Sequence, residues 1–212
     1  MGQSLLTKID HLVVATPDLE ASAADLEARL GVRPAPGGQH PGRGTKNALL
    51  ALSDRSYLEI VGPDPEQAVP AGGRWFQIDS LRKPRLVTWA VKEAEPDRLR
   101  HKAKASGIEL GPVASGSRRR ADGAMLRWRF TDPAVVVADG IVPFFIDWGD
   151  SPHPATSAPV GPLLESLRAE HPDPTSVLRA LSAVGIDLPV ESAPRPALIA
   201  VLRTEKGLVE LR

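Results

Sequence analysis

The sequence predicts an α+β fold built from three tandem βαβββ modules. The first sign is a shared grammar. HLVVATPDLEASAADLEARLGV, LVTWAVKEAEPDRLRHKAKASGI and LESLRAEHPDPTSVLRALSAVGI each pass from an apolar strand through Pro-Asp into an amphipathic helix. Each helix then closes on Gly-Val or Gly-Ile. The second sign is that short apolar runs around polar turns follow every helix, as strand pairs do. The third is the spacing. The units begin roughly 75–80 residues apart, well beyond solenoid periods, so they read as duplicated modules and not a stack.

Module one is expected over residues 1–62. Its first strand is HLVVA, and its helix starts at Pro17-Asp18 and ends at Gly31. Pro suits a first helical turn, Asp complements the helix dipole, and Gly supplies a left-handed C-cap. ALLALSDRSYLEIVG then reads as a strand pair turning at Ser53–Ser56. Residues 63–84 form a Pro/Gly-rich linker with a short helix near Trp75. Module two, 85–149, repeats the pattern with Pro96-Asp97, Gly107, MLRWRF and IVPFFIDW. A proline-rich linker, 150–162, excludes regular structure. Module three, 163–212, uses Pro172-Asp173 and Gly185, then ALIAVLRTEKGLVEL with a turn at Glu205–Gly207.

Composition narrows the function. Of 212 residues, 26 are Lys or Arg and 26 are Asp or Glu, a formal net charge of zero that points to neither nucleic acid nor an anionic membrane. There is no cysteine, so disulfides and thiolate metal sites are excluded. MGQSLLTKID lacks a signal-peptide core, and Leu6 breaks the myristoylation pattern. No apolar run approaches the roughly 20 residues of a membrane span. A soluble, cytoplasmic protein is expected, with a homodimer allowed and no nucleic acid or membrane partner.

Four stretches carry a resemblance: IDHLVVATPDLEASAADLEARLGV, GGQHPGRGTKNALLAL, YLEIVG and PFFIDWGDSPHP. They resemble the vicinal oxygen chelate superfamily, the glyoxalase/bleomycin-resistance/dioxygenase fold, in its glyoxalase-like branch. The resemblance covers about residues 7–153. It implies two modules curling into a cup, with a divalent ion held by the first and last strands of each. By the repeat, those positions are His11 and Glu59 in module one and Thr88 and Asp147 in module two. Thr88 departs from the pattern, which asks for His, Gln or Glu.

His11, Glu59 and Asp147 would then give a one-His, two-carboxylate site. It suits Mn²⁺, Mg²⁺ or Fe²⁺ better than closed Zn²⁺ coordination, and is weak or empty on isolation. The opposing reading is a His11–Glu59 hydrogen bond across the cup floor with no metal. Glu59 or Asp147 would be the base in a lyase, isomerase or dioxygenase reaction. His40 and Asn47, in a glycine-rich loop where Gly44 admits a ligand, are expected at the cup rim, and Thr88 is expected to contact the ligand from its strand. Trp128 and Trp148 are candidates for a flat ligand wall. SGSRRRADGAMLR, Ser115 to Arg127, reads as a basic loop, and Arg118, Arg119, Arg120 or Arg127 turned inward would select an anionic ligand. His101, His153 and His171 lack partners at metal-ligand spacing. The alternative to an enzyme is a cup that sequesters a planar molecule, as bleomycin-resistance proteins do.

Overall fold

The computed structural model describes residues 2–119 and 125–212, so Arg120 lies outside the described residues. Helix α1 (Gly2–Lys8) leads into β1 (Ile9–Ala15) and α2 (Leu19–Leu30). Strands β2 (Ala35–His40), β3 (Thr45–Ala51) and β4 (Tyr57–Pro63) complete the first unit. The second runs β5 (Arg85–Lys92), α3 (Pro96–Ala105), β6 (Val113–Arg119), β7 (Met125–Thr131) and β8 (Phe144–Asp147). The third runs β9 (Leu163–His171), α4 (Pro174–Ala183), β10 (Val190–Ser192), β11 (Ala197–Thr204) and β12 (Gly207–Leu211). Short 3-10 turns sit at Trp75–Ser80, Ala138–Gly140 and Pro154–Thr156.

The helix grammar works through local chemistry. Asp18 caps α2 by accepting the Ala21 N–H at 3.0 Å, and Asp173 caps α4 through Ser176 N–H at 3.1 Å. Each such cap contributes about 1 kcal/mol. In α3 the Pro-Asp pair lies one step later, with Pro96 inside the first turn and Glu95 in the cap position. Gly31, Gly107 and Gly185 follow the three helices with φ of 83, 79 and 73°, the left-handed caps expected of them.

The first two units share one eight-stranded sheet, ordered β2-β3-β4-β1-β5-β8-β7-β6. Its middle is a pseudo-twofold: β1 and β5 are antiparallel, and each is flanked by a parallel partner, β4 or β8. The sheet curls until β6 meets β2. Two segments read as loops are strands here, GGQH in β2 and Ser115–Arg119 in β6. The reason is closure. The Arg118 side chain lies across β2, and a Cβ on Gly37 would come within 2.8 Å of its Nη1 and 2.2 Å of Asn47 Oδ1. Glycine is what lets that edge of the cup shut.

The third unit makes its own sheet, β10-β9-β11-β12. Leu167, Leu198 and Leu202 join Ile9, Leu12, Leu86 and Trp89 in one core on the helix-bearing outer face of the large sheet. Leu86 N–H donates to the Arg212 carbonyl at 2.8 Å, tying the end of the chain to β5. Trp89 is fully buried there and its Nε1–H donates to the Ile141 carbonyl at 2.8 Å. On the inner face of the large sheet, Val13, Ala15, Val61 and Ile78 form a smaller buried cluster, and a cavity occupies the space beside it.

Candidate functional site

The site begins with a defect in β1. Ile9 pairs with Val91 and His11 with Ala90, so Asp10 is an extra residue on the β1 side. Such a bulge re-aims side chains. Ile9 consequently packs in the outer core with Leu12 and Val14, and does not share a face with His11 as strict alternation requires. Asp10 and His11 end up as partners, with Asp10 Oδ1 2.8 Å from His11 Nδ1.

Asp10 is wholly buried and accepts from three groups. His11 Nδ1 reaches one oxygen, while His153 Nε2 at 3.1 Å and Trp148 Nε1 at 3.1 Å reach the other. Burial alone would raise this carboxyl. The hydrogen bonds and positive ends of His11 and His153 outweigh it and hold the group well below the usual carboxylate range. An ionised carboxylate only accepts, so the proton on His11 sits on Nδ1 and Nε2 faces the cavity.

Glu59, on β4, stands opposite. Its Oε2 is 3.5 Å from His11 Nε2, beyond a good hydrogen bond. Oε1 accepts from Asn47 Nδ2 at 2.5 Å and lies 3.5 Å from His40 Nε2. His40 Nδ1 is in turn 2.9 Å from Thr45 Oγ1. Burial pushes the Glu59 carboxyl up, but His40, His11 and Asn47 together lower it to about 2. Tyr57 stacks on the His11 ring with centroids 4.6 Å apart. Burial, reinforced by the charges of Asp10 and Glu59, pushes its phenol well above the ordinary value, so it remains neutral.

These groups floor a small cavity of about 60 Å³ walled by Trp75, Phe76, Trp128, Phe130, Phe144 and Trp148, with Arg118 entering from β6. Trp128 and Trp148 lie 5.2 Å apart. Two buried polar atoms on this cavity's residues, Trp75 Nε1 and Asn47 Oδ1, have no hydrogen-bond partner. Buried polar groups are ordinarily paired, so a donor and an acceptor remain for a ligand.

His11, Glu59, His40, Asn47, Trp128 and Trp148 are thus brought together, and Asp147, Arg127 and Thr88 are not. On β8, Phe144 and Ile146 face inward. Asp147 points outward, where its Oδ1 accepts the Gly149 N–H at 2.9 Å. Arg127 alternates outward from Trp128 and shares the same shallow outer groove as Asp147. Thr88 is buried in an adjoining chamber. Gly44 serves the fold, since its carbonyl accepts from Arg74 Nε at 2.7 Å and its open side faces Ala68 and Pro70. Asp10, Arg118, Trp75 and His153 are the residues that pattern reading underrated. His153 does have a partner, the Asp10 carboxylate.

The pseudo-twofold shows why Asp147 fails. Val13 pairs with Thr88 and His11 with Ala90, so His11 corresponds to Thr88 and Val13 to Ala90. Val13 pairs with Glu59 and Ala90 with Phe144. The counterpart of Glu59 is therefore Phe144, three residues before Asp147. The second module offers a hydroxyl and a phenyl ring where a chelating site needs donors, and a divalent ion needs at least three protein donors to be held well. Among the described residues no group of three His, Asp or Glu is arranged to hold a metal ion. The donor set does not fit a resident divalent ion. Protein purified without chelator is expected to carry well below one divalent ion per chain by mass spectrometry. A stoichiometric, tightly held ion would overturn this reading of the donors.

A curled eight-stranded sheet from two βαβββ halves, with its residues converging on the inner face, defines a vicinal oxygen chelate cup. Within that class the chain belongs to the family described as glyoxalase-like domain, whose model matches residues 9–185. A hypothetical protein from Staphylococcus aureus shares the fold over 97% of this chain and 98% of its own, at 11% identity and a TM-score of 0.68. That coverage takes in the C-terminal sheet. A methylmalonyl-CoA epimerase from Mycobacterium tuberculosis is similar over 69% of this chain and 89% of its own, at 22% identity and a TM-score of 0.42. No curated protein matches. Among the described residues no helix is long and apolar enough to cross a membrane.

Proposed function

We propose that this chain is an enzyme that binds a small, oxygen-bearing organic acid in the cup and moves a proton on it with His11 and Glu59. The observation that carries the reading is the buried Asp10 carboxylate fixed on His11 Nδ1, which aims Nε2 at the cavity and at Glu59. A base oriented by a carboxylate behind it is the arrangement of general acid–base catalysis. In this scheme Nε2 takes a proton from carbon or oxygen of the ligand, and that proton rests between two carboxylates. Glu59 remains ionised and accepts from a ligand hydroxyl. Trp75 Nε1–H donates to a ligand oxygen, and the Arg118 guanidinium selects the carboxylate.

The alternative, sequestration of a flat ligand without chemistry, draws on the Trp128–Trp148 wall. One experiment separates the two. Small 2-oxo acids are incubated with the protein in deuterated water, and loss of the proton next to the carbonyl is followed by NMR. Exchange is expected with the wild type and should fall to background in His11→Gln and Glu59→Gln. Binding without exchange would favour sequestration. Exchange that survives both substitutions would sink the assignment of these residues.

A further inference from the structure

Beside the cup lies a second chamber of about 140 Å³, and the two share Phe76, Pro133 and Phe144 as a common wall. The chambers differ in chemistry. The cup is floored by ionised and hydrogen-bonding groups. In the second, Val135, Val136, Val137 and Val142 form an aliphatic wall, while Arg85, Asp132 and Asp139 bring charge to its other sides. Val135 and Val136 are 41% and 51% exposed, so apolar surface is presented to water at this chamber.

A second observation converges on the same place. The non-glycine residues with left-handed backbone among those described are Phe76 (φ 59°), Gln77 (φ 54°), Ala138 (φ 48°) and Asp139 (φ 56°). Phe76, Gln77 and Asp139 all line the second chamber. Side chains rarely adopt this conformation, and clusters of it mark ligand clamps and movable walls. The strained pair Phe76-Gln77 carries the ring that separates the chambers. On the far side Gly140, whose Cβ would fall 2.0 Å from the Val87 carbonyl oxygen, lets the Ala138–Gly140 turn press against β5.

We infer that the two chambers take one ligand, a carboxylate whose oxygen-bearing head lies in the cup and whose hydrocarbon arm passes Phe76 into the valine-lined chamber. This deepens the proposed function and rests on it for the head group, while the arm rests on the shared wall alone. Each methylene the chamber removes from water should tighten binding about fourfold.

The probes are straight-chain 2-oxo acids of roughly four to ten carbons, with dissociation constants read from tryptophan fluorescence, since Trp75 adjoins Phe76. Affinity is expected to rise about fourfold per added methylene across the series. Val136→Asp, an exposed position that places a charge in the chamber, should flatten this dependence. A flat series in the wild type, with the shortest acid still bound, overturns the inference and leaves the head-group reading standing. A steep series that Glu59→Gln does not weaken supports the arm chamber and sinks the head-group assignment. Binding of no member overturns both.

Discussion

Asp10→Ala is expected to destabilise the chain by about 3–5 kcal/mol, the cost of breaking a buried pair by removing one partner. The size follows from what the carboxylate holds. His11 Nδ1, His153 Nε2 and Trp148 Nε1 all point at it, and none has another acceptor within the network. Truncation strands the buried His11 donor and leaves the half-buried His153 and Trp148 donors without their acceptor, and a stranded buried donor costs about 1–3 kcal/mol. Asp10→Asn keeps one acceptor oxygen and the shape, so it should cost less than Asp10→Ala. It also turns an N–H₂ toward His11 or His153 and frees the tautomer of His11. Urea denaturation of the three proteins measures the ordering. If Asp10→Ala unfolds within about 1 kcal/mol of the wild type, the network is not a structural unit and His11 is not anchored by it. The substitution acts on function through the same bond, because a ring free to rotate no longer presents Nε2 to Glu59.

How much of this was legible beforehand depends on which interactions are local. The helices were legible because caps and C-terminal glycines act within a few residues, and Asp18, Asp173, Gly31 and Gly185 do what those residue types dictate. The third sheet was legible by the same repetition. His11 and Glu59 were legible because the resemblance placed both on strands that line the cup. Asp10 was hidden by its own bulge: regular alternation sends a residue next to His11 to the other face, and the extra residue depends on how β1 pairs with β5, eighty residues on. Asp147 misled for a similar reason. Residues 132–143 between β7 and β8 are irregular, so counting along the repeat overshoots, and the register that makes Phe144 the counterpart of Glu59 exists only in the paired strands. β2 and β6 were obscured because Gly37, Gly38 and the arginines read as loop composition. Their strand character comes from each other and from β3 and β7, through Arg118 lying on two glycines.

Acid should unfold this protein more readily than its zero net charge suggests, and Glu59 sets the window. Its folded value is about 2 against an ordinary 4.5. A depressed folded value means that the ionised form is bound more tightly in the native state. The stabilisation is therefore fully present above the unfolded value and disappears as pH falls through the folded one. At about 1.4 kcal/mol per unit, the shift corresponds to roughly 3 kcal/mol, lost between about pH 4.5 and pH 2. Asp10 is depressed as well and adds a loss in the same direction, continuing to lower pH. The carboxylates at work are buried, so salt should screen this dependence weakly, unlike the exposed pairs such as Arg98–Glu95. The measurement is thermal stability from pH 6 down to pH 2 for the wild type and Glu59→Gln. The variant starts lower at neutral pH, because an amide accepts less well from Asn47 and faces His11 and His40 without a charge. Its curve should be shallower below pH 4.5, since one of the two titrating carboxylates is gone. Parallel curves for the two proteins would show that Glu59 is not held ionised by His40 and His11. The electrostatic frame assigned to the cup floor would then be wrong.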